Sequence, residues 1–260
     1  MTRISIKVYY MILMYHHVAP AEMVPKDSAP MEGWQYTHSP EGFGRQLVEL
    51  RRRGYRFVSL PSLVEEIQKR GVEHAKTAVV TFDDGWVDNL TYALPILKQL
   101  AIPATFFCTT DHIYKGEGRS KKMSVAQLWE LLTAGMTIGG HTRTHPDLTK
   151  LAPDQAREEI AGCKNDLEQA LGIQVQFFAY PGGSFNGNVV RLTQEAGYTA
   201  ACSVLGPGKN DRSTLFCLYR DVLGETMNNW HDRYRLSPTL RRILGFRVRR
   251  KLWSKLNGIT

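Results

Sequence analysis

The sequence predicts an α/β protein built around a parallel sheet, because short strand-like runs alternate with amphipathic helical patterns along most of its 260 residues. This order is typical of a (β/α) barrel or of a doubly wound sheet, and the chain is long enough for either. Strands are predicted at residues 8–15, 55–60, 77–82, 104–110, 136–140, 174–180 and 198–204, and helices at 40–53, 61–70, 88–100, 124–134, 153–171 and 186–196.

Local signals mark the ends of one of these helices. Pro153 lies where the helix would begin, and Gly172 directly follows its predicted end. Since the chain shows no internal repeat or low-complexity linker, we expect a single domain over residues 1–230. Its polar loops at 19–38 and 110–122 follow strands, on the side where such folds build their sites.

The positive charge is concentrated at the C-terminal end. Residues 231–260 contain nine Lys/Arg against one acid, which accounts for the whole net charge of +8. We therefore expect a basic C-terminal extension over 231–260 and a domain with no charge bias towards nucleic acid. The apolar residues of the extension fit both a strand and a helix period. A solvated face packed on the domain is expected, with contact to an anionic membrane as the alternative.

The cysteines and the hydropathy pattern bear on the cell compartment. Four cysteines, without a metal-binding spacing, indicate buried thiols in a reducing compartment. The apolar run at 8–15 is short for the core of a signal peptide, and no convincing cleavage site follows it. The sequence contains no run of about 18 apolar residues, the length needed to span a bilayer. We expect a cytoplasmic protein, with peripheral membrane contact through the basic extension as an open alternative.

Three polar motifs directly follow predicted strands. They are TFDDG with Asp83 and Asp84, HTRTH with His141 and His145, and FAYPGG, which closes the strand at 174–180. In a parallel α/β fold, these strand ends converge on one face of the sheet. A carboxylate and two imidazoles there would provide three ligands for a divalent cation and leave positions for water and substrate.

The two adjacent aspartates need an explanation, because like charges in contact raise one another's pKa. A metal ion at Asp84 would neutralise one charge and allow Asp83 to remain ionised as a base. Each motif alone has an ordinary structural explanation, such as a solvated turn with a helix cap for the aspartate pair. All three motifs together, in this order, favour a metal site.

These motifs, with ILMYHHV at 12–18, resemble those of the carbohydrate esterase family 4 polysaccharide deacetylases, the NodB homology domain. The similarity extends to LYRDVL at 218–223 and thus over most of the chain. The opening Tyr-His strand is similar to that of the permuted exopolysaccharide (poly-N-acetylglucosamine) deacetylase branch. The resemblance implies a distorted (β/α) barrel of about seven parallel strands.

The resemblance also implies a role for each motif residue. Neighbouring residues of a strand point to opposite faces, so only one of His16 and His17 can enter the site, and the resemblance of the opening Tyr-His implies His16. The implied roles are Asp83 as general base, Asp84, His141 and His145 as metal ligands, Gly182 as the backbone N–H that holds the oxyanion, and His16 as general acid.

The sequence departs from the family pattern in two places. The arginine that begins the third motif and orients the base is replaced by Ala179. The late motifs are missing, and the histidine that follows His145 in the chain is His231, in the basic extension. Arg220 could supply the missing cation near Asp83, or it could form a surface ion pair worth little.

The implied activity is metal-dependent removal of N-acetyl groups from amino sugars of a polysaccharide. Zinc is the expected metal, although iron, cobalt or nickel also suit these ligands. Trp86 and Tyr180 could stack on a sugar ring, with Trp34 in the first long loop, and Arg220 is a further candidate for substrate binding. The alternative for each aromatic residue is a place in the core.

Two other functions remain open. One is a deacylase of a small or lipid-linked acylated amino sugar, which the lack of a secretion signal favours. The other is a non-catalytic carbohydrate-binding protein, supported only by the missing motifs. A nucleic-acid partner would depend on the basic extension alone and is not expected.

Overall fold

The computed structural model describes residues 9–23, 36–69, 76–111, 122–205 and 210–222. The basic extension, His231 and Trp34 lie outside these ranges, so what the sequence predicts for them remains a prediction. The described strands are β1 Tyr9–Tyr15, β2 Arg56–Phe57, β3 Lys76–Phe82, β4 Ala104–Cys108, β5 Thr137–Gly140, β6 Phe177–Ala179, β7 Ala200–Ser203, β8 Leu218–Tyr219 and β9 Asp221–Val222.

These strands pair in parallel and form a nearly closed barrel. The order is β8-β7-β6-β5-β4-β3-β1-β9, and β2 pairs with β3 off this path. Arg220 alone separates β8, which pairs with β7, from β9, which pairs with β1. The segment 218–222 therefore closes the ring between the first and the last long strands. The predicted (β/α) barrel is confirmed.

Two of the predicted strand boundaries need correction. The run at 55–60 forms only the two residues of β2, because Leu60 already begins a helix. The closing segment 218–222 was not predicted as a strand, because each of its two paired pieces is only two residues long and shows no period.

The helices lie close to their predicted positions. Pro153 and Gly172 mark the ends of α5 as expected, and Gly172 adopts the left-handed conformation with φ 62°. A π-helical turn at Asn89–Ala93 precedes α3, close to Pro95, which lacks the N–H of a regular helical bond. The α-helices are α1 Pro40–Arg52, α2 Leu60–Lys69, α3 Leu94–Gln99, α4 Val125–Thr133, α5 Pro153–Leu171 and α6 Gly187–Glu195.

Alternate residues of each strand belong to two hydrophobic clusters on the two faces of the sheet. Leu13 and Phe82 belong to the larger cluster, which includes residues of α1, α3, α4, α5 and α6. Ile12 and Val79 belong to the smaller one, together with Phe107 and residues of α2. Because strand side chains alternate, the position of a residue just after β1 or β3 already determines on which face of the sheet its side chain lies. None of the described helices is both long and apolar enough to cross a membrane.

Candidate active site

The carboxyl ends of neighbouring strands bring the predicted site residues together. Tyr15 is opposite Phe82 in the register of β1 and β3, so His16 and Asp83 are the next residues on adjacent strands. The Asp83 N–H donates to the Tyr15 carbonyl at 3.0 Å, which continues the ladder by one bond. His141 follows β5 in the same way, and its N–H donates to the Cys108 carbonyl at 3.0 Å.

A tight turn directs the Asp84 side chain. Asp84 has φ 73° and Gly85 has φ 72°, so two successive residues adopt the left-handed conformation, which aspartate tolerates better than most side chains. The indole N–H of Trp86 donates to Asp84 Oδ2 at 3.1 Å. This bond occupies one carboxylate oxygen, while Oδ1 faces the two histidines.

Asp84, His141 and His145 can hold a metal ion together. Their candidate ligand atoms all lie within 4.8 Å of one another. Asp84 Oδ1 is 3.6 Å from Nε2 of His141 and 3.5 Å from Nε2 of His145. Ligands about 2.0–2.1 Å from a tetrahedral zinc ion are roughly 3.3–3.4 Å apart, so both separations are close to those of a bound site. The donor set and its spacing therefore fit a divalent cation.

The His141 ring is fixed in the orientation that a metal ligand needs. Its Nδ1–H donates to the Ala179 carbonyl at 2.7 Å, because a carbonyl can only accept. Nε2 is consequently the nitrogen without a proton, and it is the one that faces Asp84. Burial lowers the pKa of His141 to about 4, so the ring is neutral at neutral pH. This is the protonation state that metal binding requires.

Arg220 pairs with the other aspartate. Its two terminal nitrogens donate to the two oxygens of Asp83 at 2.6 and 2.7 Å, and both side chains are almost fully buried. Burial raises the pKa of Asp83, but the guanidinium of Arg220, which donates to both carboxylate oxygens, overcomes this effect, and the net pKa is lowered. Asp83 is therefore ionised although it is buried. Arg220, between β8 and β9, thus places a cation beside Asp83, whereas Ala179 at the start of the third motif carries none.

Lys122 is a part of the site that sequence reasoning missed. Its Nζ lies 4.0 Å from Asp84 Oδ1 and 3.3 Å from the centre of the Trp86 ring. Burial lowers the pKa of Lys122 to about 8, although the carboxylate of Asp84 opposes this. A lysine at the end of a long polar loop carries no sequence signal that distinguishes it from a solvated one.

The two opening histidines have different surroundings. Alternation places His16 on the same face as Ile12, whereas His17 Nδ1 lies 2.6 Å from Asp88 Oδ2. Burial lowers the pKa of His16, and the carboxylates of Asp83 and Asp84 act in the opposite direction. Nδ1 of His16 is buried and has no hydrogen-bond partner among the described residues. His16 is thus the histidine that faces the two aspartates.

The FAYPGG loop supports His141 and exposes a glycine. Ala179 provides the carbonyl that holds the His141 ring. Gly182 has φ 59°, with open space where a Cβ would lie, and Gly183 packs against Val204. The backbone at Gly182 is exposed, as an N–H that contacts a substrate must be. The structure places it in the loop next to a candidate ligand.

The burial of three side chains argues against their predicted contact with a sugar. Tyr180 is fully buried, and its hydroxyl donates to the Phe216 carbonyl at 2.9 Å. Trp86 is only 8% exposed and contacts Asp84 and Lys122. Arg220 uses both terminal nitrogens on Asp83. As a correction, these residues are better described as supports of the site than as its binding surface.

Comparison with known families matches residues 70–201, half of the chain, to the family described as Polysaccharide deacetylase. The chain belongs to the polysaccharide deacetylase family. It is 26% identical over 212 residues to the putative polysaccharide deacetylase YxkH of Bacillus subtilis, across 80% of this chain and 69% of the relative. It is 28% identical over 195 residues to the peptidoglycan-N-acetylmuramic acid deacetylase PdaA of the same organism, across 72% and 65%.

Solved structures of the family share the fold. IcaB from Ammonifex degensii superimposes with a TM-score of 0.71 at 25% identity, over 85% of this chain and 93% of that one. The deacetylase PplD of Streptococcus pyogenes, in complex with acetate, gives 0.68 at 25% identity, over 82% and 91%. The predicted membership is confirmed, and the likeness to IcaB is consistent with the permuted branch.

Proposed function

We propose that this deacetylase is a metal-dependent hydrolase that removes N-acetyl groups from amino sugars of an N-acetylglucosamine-type polysaccharide and releases acetate. The observation that carries the proposal is the meeting of Asp84, His141 and His145 around one point, with Asp83 ionised beside it. PplD, a structural neighbour, was solved with acetate, the product that this reaction would release.

Asp84 Oδ1 and the Nε2 atoms of His141 and His145 would hold the cation. A divalent ion bound there supplies Lewis-acid polarisation of the amide carbonyl and lowers the pKa of a coordinated water. Zinc suits one carboxylate and two imidazoles, and iron, cobalt and nickel are the other metals that this donor set accepts.

Asp83 would act as the general base. It lies next to Asp84 in the chain, and Arg220 holds it ionised in a buried position. Because this carboxylate carries no proton, it can accept one from water. General acid–base catalysis is typically worth about 10²–10⁴-fold in rate.

His16 and Gly182 would complete the reaction. The exposed Gly182 N–H would donate to the oxyanion, a contact that is worth about 10²–10³-fold where it has been removed in other enzymes. His16, whose pKa is lowered overall by burial although the nearby carboxylates favour its protonated form, would in that form give its proton to the departing amine. The C–N bond breaks, acetate leaves, and the sugar keeps a free amino group.

The alternative substrate is a small or lipid-linked acylated amino sugar. It rests on the basic extension at 231–260, whose contact with a membrane surface stays a proposal, as does a cytoplasmic location. The exposed face of the site does not distinguish a polymer from a short sugar, since Trp86 and Tyr180, which were expected to bind sugar rings, are buried.

Acetate release from N-acetylglucosamine oligomers of increasing length, compared with a lipid-linked acylated amino sugar, tests the proposal. We expect release that increases with oligomer length, stops on chelation and returns with Zn²⁺. Preference for the lipid-linked sugar would favour the alternative. Oligomer binding without acetate release at any metal loading would contradict the hydrolase function and support a carbohydrate-binding protein.

A further inference from the structure

The loop that carries the two histidines has an unfavourable backbone. Thr142 has φ 67° and His145 has φ 63°, so two residues other than glycine adopt the left-handed conformation within four positions. Such conformations persist only where the surrounding structure enforces them. The Thr142 hydroxyl oxygen accepts the His145 N–H at 2.9 Å, but this bond lies within the loop itself. Further contacts must hold the loop as a whole.

One carboxylate of α5 binds the middle of the loop. Glu159 accepts the backbone N–H groups of Arg143 and Thr144 at 2.8 and 2.9 Å. It also accepts the Thr144 hydroxyl at 2.7 Å. These are charge-assisted bonds to the two residues between the left-handed positions, and such bonds are the stronger kind.

The Arg143 side chain provides a second attachment to the same helix face. Its guanidinium donates to both oxygens of Asp166, at 2.7 and 2.8 Å. It lies over Gly162, where an added Cβ would be only 2.5 Å from Cζ of Arg143. Asp166 also accepts the hydroxyl of Thr110, which follows β4, at 2.8 Å. We call Arg143, Glu159, Gly162 and Asp166 the loop anchor.

We propose that the loop anchor sets the metal affinity of the site by holding His145 in place. This inference rests on the metal-dependent function proposed above and goes further, since it assigns positioning residues, three on α5 and Arg143 in the loop itself, that are not metal ligands. His141 has its own support in the Ala179 carbonyl. The imidazole of His145 is 40% exposed, so its position depends on the backbone that carries it.

The loop anchor can be tested by titrating the metal-free protein with Zn²⁺ and recording the spectrum of the Co²⁺ form. Glu159→Ala should weaken Zn²⁺ binding about 10–100-fold, as loss of the groups that orient metal ligands generally does. The Zn²⁺ affinity of Glu159→Gln should fall less, because the amide oxygen of glutamine can still accept hydrogen bonds from the two N–H groups. Arg157→Gln, which removes an exposed ion pair of α5 with Glu195, is the matched control and should bind like wild type.

Gly162→Ala separates positioning from stability. Alanine favours the helix, which offsets part of the cost of displacing Arg143 from Asp166, so the thermal stability of the metal-free protein should stay close to that of the wild type. The new methyl group displaces the Arg143 guanidinium, so Zn²⁺ affinity should nevertheless fall and the Co²⁺ spectrum should change.

The outcomes distinguish this inference from the proposed function. Wild-type affinity in both Glu159→Ala and Gly162→Ala would overturn the role of the loop anchor while leaving the metal site intact. A wild-type protein that binds Zn²⁺ no better than His141→Ala would overturn the metal site itself and, with it, this inference.

Discussion

Asp83 and Asp84 are neighbours in the chain, yet their surroundings differ completely. Asp83 is enclosed, and both of its oxygens accept from Arg220. Asp84 gives one oxygen to Trp86 and turns the other towards His141 and His145. The left-handed turn at Asp84 sends the two side chains in different directions.

The difference shows how two carboxylates can be placed side by side at a buried strand end. Asp83 has a fixed guanidinium as its source of positive charge, whereas Asp84 has Lys122 at 4.0 Å and the candidate metal site. A permanent internal partner suits a base that must remain ionised, whereas an open oxygen suits a ligand. The first three of the following predictions each test one side of this contrast, and the fourth tests a carboxylate without such a partner within the described ranges.

The largest expected effect is on catalysis at Asp83. Asp83→Asn keeps the size of the side chain but removes the proton acceptor, so acetate release should fall about 10²–10⁴-fold. Metal content should be unchanged, because Asp83 is not one of the three candidate ligands. Acetate assays with metal analysis of the same sample check both points, and loss of the metal together with activity would contradict the assignment.

The next effect is on stability at Arg220. Arg220→Met leaves the Asp83 charge buried without its partner, so the free energy of unfolding should fall by about 3–5 kcal/mol. The double variant with Asp83→Asn should regain part of the lost unfolding free energy, because the buried side chain at position 83 is then neutral. Urea unfolding of the single and double variants measures the coupling. Arg157→Met, at an exposed ion pair, should cost no more than about 1 kcal/mol. An equal loss of unfolding free energy in Arg220→Met and Arg157→Met would contradict the contribution of the buried pair to stability.

A smaller effect is expected from the Asp84 side. Trp86→Phe keeps an aromatic ring but removes the N–H that holds Oδ2, so Zn²⁺ affinity should fall about tenfold. Trp129→Phe changes an exposed tryptophan of α4 and serves as the control. Calorimetric titration with Zn²⁺ compares the two variants. An unchanged affinity in Trp86→Phe would mean that Asp84 is oriented by other contacts.

The smallest effect concerns Asp221, which follows Arg220 and has no ion-pair partner in the described part of the chain. Burial raises the pKa of Asp221 to about 6. Because the unfolded value is about 3.9, the folded state holds the proton longer, and stability is lost as pH rises from about 4 to about 6. Asp221→Asn should therefore raise the free energy of unfolding by about 1–2 kcal/mol at pH 7.5 and hardly at all at pH 4. Urea unfolding at both pH values checks this, and an equal gain at both would contradict it.

The sequence predicted the barrel because its signals are local. Apolar runs and helix ends such as Pro153 and Gly172 depend on neighbouring residues, and alternation along β1 showed that only one of His16 and His17 could enter the site. The strand ends after β3 and β5 were also identifiable, and they carry Asp84 and the two histidines.

The rest could not be predicted because it depends on distant contacts. Arg220 and Asp83 are 137 positions apart, and since no spacing rule links them, the sequence offered their pairing only as one of two alternatives. Lys122 lies in a polar loop, where its sequence neighbours give no sign of a role in the site. The hydrogen bonds from the HTRTH loop to Glu159 depend on how α5 packs against that loop. Tyr180 was expected to stack on a sugar ring or to lie in the core, and its packing against Phe178 and Phe185, which the structure shows, decides for the core.

The most direct test of the account is a Zn²⁺ titration of the metal-free wild type, Asp83→Asn and Asp84→Asn. We predict one tightly bound Zn²⁺ per chain for the wild type and for Asp83→Asn. Asp84→Asn should lose this site, because a neutral amide replaces the ligand carboxylate. Equal Zn²⁺ binding by the two variants would contradict the assignment of Asp84 as a metal ligand and of Asp83 as a residue that does not bind the metal.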